Sequence, residues 1–100
     1  MHRMTQDQLN EWLIGAVLHD KVRAAKMAIK NGAEIDVEDE DGDTPLHYAA
    51  HYGYIRLVKL LIENEAEVNH KNKDGKTPLY YAEKCKQKEI ANLLKQHGGV

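Results

Sequence analysis

The chain has 100 residues, 42% hydrophobic and 30% charged, with a formal net charge of -2. That is material for one core and not for two, and its Leu, Ile, Val and Ala content excludes a disordered polar tract. The near-neutral balance gives no pull towards nucleic acid or anionic membrane, no apolar run approaches a membrane span, and the start MHRMTQDQLNEW lacks the apolar core of a signal peptide.

In chain order, Leu9, Trp12, Leu13, Ala16 and Val17 follow the i, i+3, i+4, i+7, i+8 spacing of an amphipathic helix, and Thr5-Gln6-Asp7-Gln8 fits a capping box at its start. His19-Asp20 supplies a turn, Val22 to Lys30 a second helix, and Asn31-Gly32 its left-handed stop. Pro45 stands where a first helical turn tolerates a missing N–H, with Thr44 placed to cap it. Gly53 lets the chain turn into a helix over Ile55 to Glu63. The last pair of helices is predicted from Pro78 to about Lys84 and from about Lys88 to Gln96, ahead of Gly98-Gly99.

These pairs repeat. DGDTPLHYAA (Asp41 to Ala50) returns thirty-three residues later as DGKTPLYYAE (Asp74 to Glu83), and the same offset matches Leu60-Leu61 with Leu93-Leu94. Extended backwards, it pairs Leu13 with Leu46, Ala16 with Ala49, Ile29 with Ile62 and Ala33 with Ala66, so a degenerate copy opens the chain with Glu11-Trp12-Leu13 in place of Thr-Pro-Leu. Such a period signals stacked units, none of which buries its own apolar face without a neighbour.

The middle copy, with Thr-Pro-Leu-His, the Ala-Ala pair, the turn glycine, the Leu-Leu pair and the Ala-x-Val-Asn ending, resembles an ankyrin repeat almost position by position. The third copy keeps DGKTPLYYA, and the first keeps the NGAEIDV ending. The resemblance implies an all-α solenoid of helix-turn-helix units with projecting hairpin-like loops and a concave face. It also implies a role in binding other proteins rather than in catalysis. The organisation expected is one domain over residues 1–100, with a degenerate N-terminal repeat at 5–40, a full repeat at 41–73 and a C-terminal capping repeat at 74–100. The family pattern is broken where His47 becomes Tyr80, where Gly53 becomes Lys86, and at Glu65, where a glycine is expected and a side chain must accept positive φ.

Chemistry is sparse. The chain has no serine, and its threonines, Thr5, Thr44 and Thr77, all fall at helix starts, which removes a Ser-His-Asp arrangement. Cys85 lies between Lys84 and Lys86 but has no histidine at helical spacing, so it reads as a helix-edge residue. Being a lone cysteine, it also fits a reducing, cytoplasmic setting. His2, His19, His47, His51, His70 and His97 show no HExxH spacing, and in ankyrin-like repeats the residue at His47 hydrogen-bonds loop backbone. The run Glu34 to Asp43 fails as an EF-hand: with Gly42 at the sixth position, Val37 and Tyr48 occupy places that need carboxylates. No cofactor and no metal site is expected.

Recognition has more to work with. The first inter-repeat loop carries Glu34, Asp36, Glu38, Asp39, Glu40, Asp41 and Asp43 with no base, read as a solvated hairpin; the second presents His70, Lys71, Lys73 and Lys76 against Asp74. Side by side, such tips steer a partner's orientation, and the acidic strip argues against nucleic acid. At 100° per residue, Leu46, Ala49, Ala50 and Gly53 face the core, and His47, Tyr48, His51 and Tyr52 face out. The residues expected to contact a protein partner are Glu38, Glu40, Asp41, Asp43, Tyr48, His51 and Tyr52 in the second unit. In the third they are Lys71, Lys73, Asp74, Lys76, Tyr81, Lys84 and Cys85.

Met1 and the polar KQHGGV end lead us to expect a complete small protein: a monomeric, non-enzymatic adaptor or inhibitor. The alternative is a bacterial or parasite ankyrin effector acting in a host cell, or the recognition fragment of a larger enzyme.

Overall fold

A computed structural model of the chain describes residues 3–100, so His2 lies outside the described residues. These form six helices: α1 (Gln6–Leu18), α2 (Val22–Lys30), α3 (Pro45–Tyr52), α4 (Ile55–Glu63), α5 (Pro78–Lys84) and α6 (Lys88–Gln96), with no strand among the described residues.

Each hairpin begins with a threonine, and the three are used differently. At α1 the Thr5 hydroxyl accepts Gln8 N at 3.1 Å while Gln8 Oε1 accepts Thr5 N at 2.8 Å, a complete capping box. At α3 the same box is built with a histidine: His47 N donates to Thr44 Oγ1 at 3.4 Å and Thr44 N donates to His47 Nδ1 at 3.0 Å. At α5 the residue equivalent to His47 is Tyr80, which has no nitrogen to offer. Thr77 still occupies the N-cap but makes no side-chain cap; its hydroxyl donates to Val100 O at 2.8 Å instead.

Within each hairpin, the chain reverses through one left-handed residue. Asp20 (φ 53), Gly53 (φ 81) and Lys86 (φ 59) are the three equivalents. Behind them Lys21 N, Tyr54 N and Gln87 N return to Ala16 O, Ala49 O and Ala82 O at 2.7, 2.9 and 2.7 Å. Of the three only Gly53 takes this conformation without side-chain strain, and a Cβ there would meet only the movable end of the Gln87 side chain, 2.7 Å from its amide oxygen. Glu65 takes φ 66, the positive value expected of it.

α1, α3 and α5 stack in one layer and α2, α4 and α6 in a second. Between them runs one continuous cluster that includes Leu13, Val17, Ala25, Leu46, Leu57, Leu61, Leu79 and Leu94. Growth by stacking in one direction gives the long axis of the 45 × 26 × 21 Å body. A repeated hydrogen bond holds the chain after each second helix, within the first hairpin at Glu34 and to the preceding hairpin at Glu67 and Val100. The backbone N–H groups of Glu34, Glu67 and Val100 donate to Asn10 Oδ1, Asp36 Oδ1 and Asn69 Oδ1 at 2.8, 3.1 and 2.9 Å. Asp36 is therefore a structural acceptor, not one of a row of freely solvated acids.

Candidate functional site

Two hairpin tips, 39–43 and 72–76, project from the helix layers. In the first, Asp39 N donates to Asp43 O and Gly42 N to Asp39 O, both at 3.0 Å, while the Asp39 carboxylate accepts Asp41 N and Asp43 N at 2.9 Å each. Asn72 repeats this thirty-three residues on, with Asp74 N at 3.0 Å and Lys76 N at 2.9 Å on its Oδ1. A short polar side chain that folds its own backbone around itself is the mechanism of an Asx turn.

Tyrosines tie each tip to its helix, with opposite polarity. The Tyr48 hydroxyl donates to Asp39 Oδ2. In the next unit Asn72 Nδ2 donates to the Tyr81 hydroxyl oxygen and to Asp43 Oδ1, both at 2.8 Å. Burial pushes the Asp39 carboxyl up, but the hydrogen bonds from Tyr48, Asp43 N and Asp41 N outweigh it and hold the group below the usual carboxylate value. Burial, followed by the hydrogen bond to Asp39 and its charge, pushes the Tyr48 phenol well up. The solvated-hairpin reading of the acidic tip thus fails for Asp39 as it did for Asp36.

The tips lock together. Lys73 N donates to Asp41 O at 3.0 Å, and Gly42, at φ 77, could not carry a Cβ without bringing it 2.9 Å from Lys73 N. Glu38 Oε2 meets His70 Nε2 at 3.1 Å. Acidic and basic edges are therefore neighbours in space.

His47 corrects the helical-angle assignment: it is 2% exposed, not outward. Its Nδ1 accepts from Thr44 N, so the ring proton belongs on Nε2, which donates to Lys76 O at 2.9 Å. One side chain thus closes a helix cap and bolts the next tip to it. Burial lowers its pKa, against the opposing pull of the Lys76 carbonyl and Asp43. Tyr48 is also less exposed than expected, being half-buried beneath its own tip, while His51 and Tyr52 are exposed, Tyr52 at 49%.

Between the first tip and the faces of α3 and α5 lies an open cavity of about 240 Å³, lined by Asp41, Asp43, His47, Tyr48, His51, Tyr52 and Tyr81. Its rings interlock. Tyr48 and Tyr52 are stacked at 10° with centroids 6.4 Å apart, Tyr52 meets His51 at 4.7 Å, and His51 meets Tyr81 at 5.6 Å. Six of the residues singled out from sequence come together here.

The others lie outside the cavity lining. Glu40, Lys71, Lys73 and Asp74 are exposed at the tips, and Glu38 is held by His70. Lys76 and Lys84 lie over the Tyr80 ring at 4.4 and 5.8 Å, and Cys85, half-buried, is the C-cap of α5. Asp39 and Asn72 are the functional supports that pattern reasoning passed over, and the repeat offset linking them was the available signal; His47 bonds loop backbone as the family resemblance implied. Ligand atoms of Asp39, Asp41 and Asp43 lie within 4.8 Å of one another, but both Asp39 oxygens are already committed to the turn and to Tyr48.

Stacked helical hairpins with interlocked projecting tips define a repeat solenoid. The chain belongs to the ankyrin-repeat family: a family model described as ankyrin repeats in three copies matches residues 13–100. Comparison with curated proteins gave no match. Ankyrin repeats are generally protein–protein interaction modules. Among the described residues, no helix is long and apolar enough to cross a membrane.

Proposed function

We propose that this chain is a non-enzymatic adaptor or inhibitor, a cytoplasmic monomer that docks on one protein partner through its loop tips and concave helix face. In this reading 5–40, 41–73 and 74–100 are its three repeats, and the sequence differences between them carry recognition. The observation that carries it is the interlocked group of Tyr48, His51, Tyr52 and Tyr81 beside two tips of opposite charge. Rigid aromatic rings give large contact area at low entropic cost, and charged rims set orientation. A half-buried free thiol at Cys85 suits a reducing compartment.

The test is affinity capture from lysate with quantitative mass spectrometry, comparing the wild type with a Tyr52→Ala/Lys73→Glu variant. Both positions are exposed, so the variant should fold. A protein enriched by the wild type and lost with the variant is expected. Equal capture by both, or turnover of a small substrate by the pure chain, would overturn the reading.

A further inference from the structure

We propose that the cavity between the first tip and α3 receives a basic side chain, lysine or arginine, presented by the partner; this rests on the protein-binding reading above. Size points to a side chain. At about 240 Å³ the cavity falls below the roughly 300–1,000 Å³ of small-molecule sites.

Chemistry selects a cation. Asp43 has one oxygen held by the Asn72 amide at 2.8 Å and the other without a hydrogen bond among the described residues. Among the described residues the Asp41 carboxylate accepts no hydrogen bond, and no side-chain cation lies within 4.0 Å of either group. No lysine or arginine lines the cavity, and Lys76, on the neighbouring tip, is drawn off over the Tyr80 ring. The His47 wall is buried, with Nδ1 accepting from Thr44 N and Nε2 donating to Lys76 O, so it has no free nitrogen to offer an occupant. What remains is two under-used carboxylates beside aromatic faces, and both attract positive charge. An anionic group would be repelled. An apolar one would cover the carboxylates without pairing them, which costs free energy.

The contrast with the next unit supports the same occupant. Thirty-three residues on, Asp43 is replaced by Lys76, Tyr52 by Cys85 and His51 by Lys84. The aromatic and acidic set exists once in the stack, on scaffold positions that otherwise repeat.

The experiment titrates the isotope-labelled chain with Nα-acetyl-lysine N-methylamide, its arginine counterpart and the neutral norleucine counterpart at constant ionic strength, read by amide NMR shifts. Saturable shifts centred on Asp41, Asp43, Tyr52 and Tyr81 are expected with either cation and not with norleucine. Asp41→Asn and Tyr52→Ala, both at exposed positions, should each weaken the cation response by roughly fivefold with the rest of the spectrum unchanged. Three results would overturn the proposal: no saturable response to either cation, a norleucine response of equal strength at the same residues, or cation shifts that persist undiminished in both variants. A probe that fails to bind sinks the cavity assignment whatever capture shows, and capture without probe binding leaves the interaction-module reading standing.

Discussion

At the residue scale, the histidine of Thr-Pro-Leu-His does two jobs that need its two nitrogens to be different. Nδ1 must be bare to accept Thr44 N, and Nε2 must carry the proton to donate to Lys76 O. Protonation would set an N–H against the Thr44 amide and charge a buried ring. The groups facing it are Asp43, which favours the charge, and His70 and Tyr81, whose rings lie 6.0 Å away. Burial prevails, so the folded value lies below the usual 6.5. A folded pKa below the unfolded one means stability that is complete above the unfolded value and is lost as pH falls from about 6.5 through the folded value. His47→Gln isolates this, since Gln8 shows that glutamine closes the same box at α1. The variant should lose about 1 kcal/mol at neutral pH, because Lys76 O keeps only its bond from Asn72 N at 2.9 Å. Its stability should also fall less steeply than that of the wild type between neutral and mildly acidic pH. Urea melts at two pH values decide it, and parallel losses in both proteins would place the acid sensitivity elsewhere.

At the element scale, the helix bounds are legible in the sequence because their causes are local. Pro45 and Pro78 fix first turns, Gly32 and Gly53 fix left-handed residues, and Thr5 and Thr44 cap within three positions. The tips are far less legible. Seven acids in ten residues look alike as charges, yet Asp36 accepts Glu67 N thirty-one residues away and Asp39 organises its own turn, while Glu40 and Asp41 remain at the surface. Helical angle alone misplaces His47 and overexposes Tyr48, because the neighbouring tips cover that side of α3. The latch between hairpins, made at Glu67 and repeated at Val100, gives one element-level prediction. Asp36→Ala removes the acceptor between the first two hairpins and should cost about 1–2 kcal/mol, whereas Asp36→Asn keeps a carbonyl oxygen there and should cost less than half of that. Thermal melts giving equal losses for the two variants would mean that Asp36 acts through its charge rather than as an acceptor.

At the scale of the whole molecule, the question is whether three hairpins behave as one. Each packs only on its neighbours, and stacks of this kind can unravel from an end when the interfaces are weak. Here the core cluster is continuous from Leu13 to Leu94, and the middle hairpin supplies both interfaces on the first layer through α3, which packs on α1 and α5 and carries the fully buried Leu46. The aromatic residues provide separate reporters. Trp12 lies only in the first hairpin, and all five tyrosines lie in the second and third. Unfolding followed by tryptophan fluorescence and by tyrosine near-UV circular dichroism should therefore give one coincident transition, the mark of two-state behaviour. Leu46→Ala should move both curves together by about 2–5 kcal/mol, since it opens a cavity in the one core that all three hairpins share. If the tyrosine signal shifts while the tryptophan signal stays, the first hairpin is stable without its neighbours and the continuous core does not couple it to them.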